Sequence, residues 1–184
     1  MNYAPKIDIL NMSIIRSADK SDVDALSSLA NLCFTDTFGH LYSKDNLSKH
    51  LTETCSPEFF CNALINDKII IIENNYTLIG YIKFGDMDLA IEPIPALSKE
   101  IHRLYIHPDF QKKGFGRKLI QEAFNDPILK NAKHYYLSVY ENNISAQKFY
   151  KGYGFSIIGE YNYYVGTHID REFIMHKQHG QENE

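Results

Sequence analysis

The stretch HPDFQKKGFGRKLI, residues 107–120, combines residue types that favour binding of an anion. Its cationic residues include Lys112, Lys113 and Arg117. Gly114 and Gly116 let the backbone approach a ligand without a Cβ atom in the way. A helix is predicted to begin here, and the first N–H groups of a helix are unpaired and lie at the positive end of its dipole. The stretch therefore predicts a phosphate-binding loop.

Three interpretations of this loop compete. A nucleotide-binding P-loop needs GxxxxGK followed by Ser or Thr, whereas Gly116 is followed by Arg-Lys and no hydroxyl for magnesium. A dinucleotide-binding loop needs GxGxxG after the first strand, whereas GFGRKL has no third glycine and lies in the middle of the chain. An ordinary strand-to-helix turn also remains open, because short glycine motifs are weak evidence.

A second motif, N-x-x-A-x-x-x-Y followed by GF, lies further along the chain. Its residues are Asn143, Ala146, Tyr150, Gly154 and Phe155. The loop Gln111–Gly116 itself fits [QR]-x-x-G-x-[GA]. With both motifs in this order, the segment 99–155 resembles the GCN5-related N-acetyltransferase (GNAT) family. The resemblance implies an acetyl-CoA-dependent N-acetyltransferase whose loop holds the pyrophosphate of the coenzyme.

Three further segments resemble the PaiA-like group of that family, which includes spermidine/spermine N-acetyltransferases. They are FTDTFG (34–39), EIHRLYIHPDFQ (100–111) and the region 165–177. The likeness implies a primary amine of a small polyamine-like molecule as acceptor. The alternatives are an acceptor amine on a protein, a peptide or an antibiotic, a non-catalytic acetyl-CoA-binding regulatory protein, and a nucleotide-binding module.

Acetyl transfer to an amine needs a base for the amine, donors for the oxyanion and an acid for the thiolate. The resemblance implies that Glu100 is the base, with His102 in reserve, and that Tyr150 is the acid. An ionisable residue on a central strand is costly unless it is used or paired, so an ion pair such as Glu100–Arg103 is the structural alternative. A ping-pong route would need a nucleophilic cysteine. All three cysteines fall at apolar positions of predicted helices, which favours direct attack in a ternary complex.

The resemblance also assigns residues to the two substrates. Coenzyme binding falls to the strand end, the loop and the later helix: Leu104, Tyr105, Ile106, Gln111, Lys112, Lys113, Gly114, Phe115, Gly116, Arg117, Asn143, Ala146, Phe149 and Tyr150. The acceptor is expected to contact Asp36, Phe38 and Tyr42, together with Glu100. Acidic residues of the segment 86–92 are expected to attract a polyamine: Asp86, Asp88 and Glu92.

Period-two and period-three-to-four patterns predict the elements that must position these residues. Predicted strands cover 14–16, 68–73, 77–85, 99–107, 134–140, 155–161 and 171–177. Predicted helices cover 21–38, two segments that start after Ser43 and Ser56, 114–125 and 144–151. This order predicts a mixed α/β (α+β) fold, with parallel strands on either side of the helix within 99–140. Family resemblance implies the GNAT fold: six to seven strands flanked by helices, with a V-shaped split between the two parallel central strands.

Strand alternation gives one further expectation for 99–107. It places Glu100, His102, Leu104 and Ile106 on one face, and Ile101, Arg103 and Tyr105 on the other.

Composition limits the class of protein. The chain has 184 residues, 44% of them hydrophobic, which predicts one soluble domain over 1–184 with its core motifs in 99–155 and a disordered tail over 178–184. The net charge of −4 argues against general nucleic-acid binding. No apolar run approaches the roughly 20 residues that span a bilayer. Three cysteines without CxxC spacing and eight histidines without HExxH predict no disulfide framework and no metal. The chain is expected to be cytoplasmic, as a monomer or homodimer.

Overall fold

A computed structural model describes residues 13–180 as one seven-stranded sheet with helices on both faces. The strands are Ser13–Ser17 (β1), Lys68–Asn74 (β2), Thr77–Gly85 (β3), Ser98–Ile106 (β4), His134–Tyr140 (β5), Ser156–Val165 (β6) and His168–Gln178 (β7). Their order is β1-β2-β3-β4-β5-β7-β6. Among these strands β4 and β5 are parallel, and the other neighbours are antiparallel. The predicted mixed sheet is confirmed.

The α-helices within 13–180 are Val23–Phe38 (α1), Lys44–Cys55 (α2), Pro57–Asn66 (α3), Phe115–Asn125 (α4), Pro127–Lys130 (α5) and Ile144–Lys151 (α6). Side chains cap the start of four of them, α2, α3, α5 and α6. Ser43 and Ser56 cap α2 and α3 by accepting hydrogen bonds from backbone N–H groups. The sequence patterns missed α5, because the Asp126-Pro127 pair that ends α4 also begins it. None of the helices within 13–180 has the length and hydrophobicity needed to cross a membrane.

The two larger hydrophobic cores of the described residues lie on opposite faces of the sheet. Ile69 and Ile71 of β2 pack with α1 and α3, whereas Ile70 and Ile72 pack with α4 and α6. This division follows from the alternation of side chains along a strand. Helices α1–α3 therefore cover one face, and α4 and α6 cover the other.

The parallel strands β4 and β5 separate soon after they begin. Their paired residues run only from Ser98–His134 to Glu100–Tyr136. Beyond that point the β5-side edge of β4 pairs with no strand among the described residues, which leaves six of the nine residues of β4 outside the parallel pairing. The expected V-shaped split is confirmed.

A β-bulge interrupts the pairing of β3 with β4. Lys83 pairs with Arg103 and Phe84 pairs with Ile101, which leaves His102 as an extra residue on β4. A bulge places two successive residues opposite one and so reverses the alternation of side chains beyond it.

Because of this bulge, the predicted alternation along β4 is wrong. Leu104 and Ile106 pack in the same core as Ile101, beneath α4. Glu100 and His102 therefore do not share a face with Leu104 and Ile106. Tyr105 packs with α1 and α3, and Arg103 donates to Thr54 O of α2 (2.7 Å).

The last two strands are longer than predicted. β6 continues to Val165 and β7 starts at His168, so the hairpin extends further from the sheet. Gln178 pairs with His134, and His179 N donates to Lys133 O (2.9 Å). The predicted disordered tail over 178–184 therefore starts too early, and residues 181–184 lie outside the described part of the chain.

Candidate active site

The predicted phosphate-binding loop forms the start of α4. Gly114 is the N-cap residue and has φ +87°, a left-handed conformation that glycine adopts without strain. The N-cap has no side-chain hydrogen bond, and the first intrahelical bond runs from Lys118 N to Gly114 O (3.1 Å). The N–H groups of residues 115–117 therefore precede the hydrogen-bond ladder and can bind an anion.

Gly116 leaves space at this opening. A Cβ atom built on Gly116 would have Ile106 and Phe149 side-chain atoms as its nearest neighbours, at 3.8 Å, which is an ordinary contact distance. Packing of the protein against itself therefore does not require a glycine there. The space lies at the start of α4, and Phe149 brings α6 next to it.

The remaining loop residues hold the turn or add charge. Gln111 Nε2 donates to Ile106 O (3.2 Å), and Lys113 Nζ donates to Asp109 O (2.7 Å). Lys112 and Arg117 are exposed, whereas Phe115 is buried in the core beneath α4.

Helix α6 carries the second motif. Asn143 caps it by accepting a hydrogen bond from Ala146 N (3.1 Å). Tyr150 is buried between Phe149 and Phe155, and its hydroxyl has no hydrogen bond to another residue within 13–180. Burial raises the pKa of Tyr150 above its ordinary value, so the phenol stays protonated at neutral pH and can donate a proton.

Glu100 and His102 lie together, and each side chain is only 7% exposed. Glu100 Oε2 accepts hydrogen bonds from the N–H groups of Asp88 (2.8 Å) and Leu89 (2.9 Å), and Oε1 lies 3.4 Å from His102 Nδ1. Burial raises the pKa of Glu100, but the hydrogen bond and charge of His102 and the two N–H donors outweigh it. The net pKa therefore lies below the ordinary value.

The cluster of charged side chains extends from His102 to Lys83 of β3. Asp67 Oδ1 lies 3.4 Å from His102 Nε2, without the geometry of a hydrogen bond, and Asp67 Oδ2 accepts one from Lys83 Nζ (2.7 Å). Burial lowers the pKa of His102, but the carboxylates of Asp67 and Glu100 outweigh it and raise the pKa overall. The imidazole is thus held towards its cationic form between two carboxylates.

The three residues expected to contact the acceptor divide into two groups. Phe38 stands against Tyr140 of β5 (ring centroids 6.0 Å apart), and the Tyr42 hydroxyl donates to Asp170 of β7. Both therefore lie across from the last strands of the sheet. Asp36 is exposed on α1 and has no hydrogen bond or ion pair to this group within the described residues.

Strand β7 and its neighbours contribute functional candidates that the sequence analysis missed. The Tyr161 hydroxyl hydrogen bonds to Glu172 Oε2 (3.0 Å) and to Ser138 Oγ (3.1 Å). Asp170 is buried and pairs in register with Tyr163, two residues beyond Tyr161 on the same face of β6. The argument that selected Glu100, an ionisable residue on an interior strand, applies equally to Glu172 and could have found it.

An acidic cavity adjoins the Glu100–His102 pair. It has a volume of about 730 Å³ and lies between α2, α3 and the segment after β3. The carboxylates along its wall are Glu53, Glu58, Asp67, Asp86 and Asp88. Lys83 is the one cation among these described lining residues. Asp86 and Asp88 thus have the acidic setting expected of them, whereas Glu92 is exposed and does not line the cavity.

Known proteins resemble this chain in sequence and in fold. A scan against protein-family models matches residues 23–155 to the acetyltransferase (GNAT) family. An uncharacterised N-acetyltransferase from the pepI 3′ region of Lactobacillus delbrueckii subsp. lactis is 23% identical over 168 residues, which cover 90% of this chain and 96% of that protein. The spermidine N(1)-acetyltransferase of Thermoplasma acidophilum is 27% identical over 150 residues, 79% of this chain and 90% of that protein. The crystal structure of PaiA N-acetyltransferase from Thermoplasma acidophilum in complex with coenzyme A has a TM-score of 0.73 at 24% identity, covering 91% of this chain and 99% of that one.

Proposed function

The chain belongs to the acetyltransferase (GNAT) family, and we propose that it transfers an acetyl group from acetyl-CoA to a primary amine of a small polyamine-like acceptor. The observation that carries the acceptor class is a set of carboxylates and phenol rings on the α1 side of the last strands. Its members are Tyr42, Tyr161, Tyr163, Asp170 and Glu172. Carboxylates attract ammonium groups by charge, and aromatic rings attract them through their π-electrons.

The acidic cavity and a named relative support the same acceptor class. The carboxylates along the cavity wall outnumber its single lysine, so a molecule with several ammonium groups is attracted along its length. The relative from Thermoplasma acidophilum is a spermidine acetyltransferase by name.

The donor fits the opposite face of the sheet. The N–H groups of residues 115–117 and the cations of the loop suit the phosphates of the coenzyme. The open edge of β4 from Leu104 to Ile106 suits the pantetheine arm, which can pair with it as an added strand. Asn143 and Ala146 at the start of α6 border the same gap.

Direct attack by the amine fits the cysteine environments. Burial raises the pKa of Cys33 to about 12, and Cys55 is also buried, so neither is a competent thiolate nucleophile. Cys61 is exposed on α3, away from the gap between β4 and β5. Both substrates are therefore bound together when the acetyl group moves.

Proton transfers set the remaining requirements. An alkyl ammonium has a pKa of about 10.4, so nearly all of the acceptor is protonated at neutral pH and must lose a proton before it attacks. The protonated hydroxyl of Tyr150 can supply a proton to the departing sulfur. The expectation that Glu100 accepts the proton of the amine stays a prediction, since two backbone N–H groups and His102 already engage its carboxylate.

Release of free thiol from acetyl-CoA, measured with a panel of amines, tests this function. The panel contains spermidine, spermine, a tripeptide with a free N-terminus and an aminoglycoside. We expect the highest kcat/KM with spermidine or spermine. Turnover of the tripeptide or the aminoglycoside without turnover of polyamines would show that the acceptor is a peptide or antibiotic amine instead of a polyamine. Binding of coenzyme A without turnover of any amine would favour a regulatory protein.

A further inference from the structure

Given acetyl transfer to an amine as proposed above, we propose that Glu172 is the catalytic base that takes the proton from the ammonium group of the acceptor. Glu172 pairs in register with Tyr140 of β5 and Tyr161 of β6. At this level β5 has already separated from β4, since Glu100 and Tyr136 are their last paired residues. Glu172 therefore lies one strand away from the gap in which the two substrates meet.

The side chain of Glu172 is on the acceptor side of the sheet. Residues two apart on a strand share a face, and Ile174 packs with Tyr136 and Leu89 on the side opposite to α4. Tyr140, the cross-strand neighbour of Glu172, contacts α1 on that same side. The carboxylate is half-buried, so an ammonium group can reach it while bulk water is largely excluded.

Negative and neutral groups surround this carboxylate. The titratable groups that face Glu172 are Asp170 on β7, Glu100 on β4, Tyr161 and Tyr163 on β6, and Tyr42 before α2. Burial raises the pKa of Glu172. Hydrogen bonds from Ser138 and Tyr161 oppose this, and the charges of Asp170 and Glu100 reinforce it, so the net pKa lies above the ordinary value. A base is most effective when its pKa approaches the working pH.

The two bases expected from the sequence are less suited to this step. Glu100 has a lowered pKa and holds two backbone N–H groups of the segment after β3. His102 has a raised pKa because Asp67 and Glu100 flank it, which favours the protonated imidazole over the neutral form that accepts a proton. The hydrogen bonds and charges around Glu100 and His102 suit a structural role, in which they hold the segment after β3 in place beside the acceptor.

The hydrogens and electrons balance as follows. Glu172 takes one hydrogen of the ammonium group as a proton, and the electron pair of that N–H bond stays on nitrogen. This pair forms the C–N bond to the acetyl carbon while the C–S bond breaks and its electrons leave with sulfur. One hydrogen of the ammonium group remains on the amide, one ends on the thiol through Tyr150, and the one on Glu172 passes to water.

Dependence of kcat/KM on pH tests the assignment, with Glu172→Gln, Glu100→Gln and Glu160→Gln compared with the wild type. Spermidine and the tripeptide amine serve as acceptors in parallel, so failure of the polyamine alone rejects the substrate class and leaves the test of Glu172 intact. We expect Glu172→Gln to lower kcat/KM by about 10²–10⁴-fold at neutral pH. The deficit should shrink as the pH approaches the amine pKa of about 10.4, because free amine needs no base.

Matched variants separate catalysis from structure. Glu160→Gln changes an exposed neighbour on β6 that pairs with Arg171, and it should follow the wild-type profile. Glu100→Gln should keep the acidic limb of the profile, which is the fall of kcat/KM towards low pH. An acidic limb that survives in Glu172→Gln, or a deficit equal at every pH, would overturn the proposal. If Glu172→Gln does not fold, Glu172→Asp decides: a loss of at least tenfold in kcat supports the proposal, and wild-type kcat overturns it.

Discussion

At the scale of single residues, two polar groups of buried residues on opposite faces of the sheet differ in their hydrogen bonding. The Tyr150 hydroxyl has no hydrogen bond to another described residue, whereas the Glu100 carboxylate accepts two backbone N–H groups. A hydroxyl that no protein group engages can donate to a bound molecule, whereas a carboxylate that holds two N–H groups is already engaged. Tyr150 is therefore suited to chemistry, and Glu100 to holding the segment after β3.

Tyr150→Phe tests this difference. We expect kcat to fall by about 10²-fold, because removal of a positioned acid typically has this effect. The affinity for coenzyme A should change little, since the ring and its packing against Phe149 and Phe155 remain. Steady-state kinetics and calorimetric titration with coenzyme A measure the two quantities.

Tyr153→Phe is the control for that variant. Its hydroxyl has no hydrogen-bond partner among the described residues, and its ring packs against Phe149 just after the end of the same helix. We expect wild-type turnover from Tyr153→Phe. Wild-type turnover from Tyr150→Phe would instead assign Tyr150 to the hydrophobic core alone.

At the scale of elements, the junction of β4 and α4 uses two glycines for different reasons. Gly114 is required by its own backbone, because φ is +87° there. Gly116 is inside the helix and has ordinary clearance from Ile106 and Phe149, so the fold itself would accept an alanine. The two positions therefore separate the stability of the loop from its affinity for a ligand.

Substitution of Gly114 and of Gly116 by alanine should have different effects on the free energy of unfolding. Gly114→Ala is expected to lower the free energy of unfolding by about 1–2 kcal/mol, the cost of a left-handed conformation for a residue with a Cβ atom. Gly116→Ala should leave stability unchanged or raise it by up to about 1 kcal/mol, because alanine favours a helix. It should nevertheless weaken binding of coenzyme A at least tenfold, since the new methyl group fills the space next to the phosphates.

Urea unfolding and calorimetric titration with coenzyme A measure these effects. Unchanged affinity in Gly116→Ala would mean that the loop is an ordinary strand-to-helix turn.

The bulge at His102 belongs to the same scale. Because of the bulge, the side chains of Ile101, Leu104 and Ile106 pack in the core beneath α4, and Glu100 lies on the acceptor side.

At the scale of the whole molecule, the proposed mechanism places the donor and the acceptor on opposite faces of the sheet, and they meet at the gap between β4 and β5. The phosphate-binding loop and α6 lie on the face with α4, whereas the carboxylates and phenol rings lie on the face with α1–α3. Attack through the gap needs both molecules at once, in agreement with a ternary complex.

Coenzyme A should therefore stabilise the whole fold, because its proposed site joins β4, α4 and α6, and these are apart in the unfolded chain. At one hundred times its dissociation constant, the expected gain in the free energy of unfolding is about 2.7 kcal/mol. Thermal unfolding with coenzyme A and with ATP at equal concentration measures this. A shift with ATP and none with coenzyme A would identify a nucleotide-binding module.

The sequence by itself determined the type and order of nearly every element, since hydrophobic periodicity, caps and glycines are local signals. It also located the loop Gln111–Gly116 and the motif that starts at Asn143, because backbone geometry and spacing along one element suffice to recognise them. The family match over 23–155 agrees with that assignment.

Tertiary structure alone decided which charged groups meet. The bulge at His102 arises from pairing with β3, so no pattern within β4 reveals it, and it reverses the faces on which the strand's side chains lie. Glu172 joins Tyr161 and Ser138 only because β7 inserts between β5 and β6. Burial and cross-strand neighbours set the pKa of a carboxylate, and both come from residues distant in sequence. For this reason the choice between Glu100 and Glu172 as the base depended on the folded sheet.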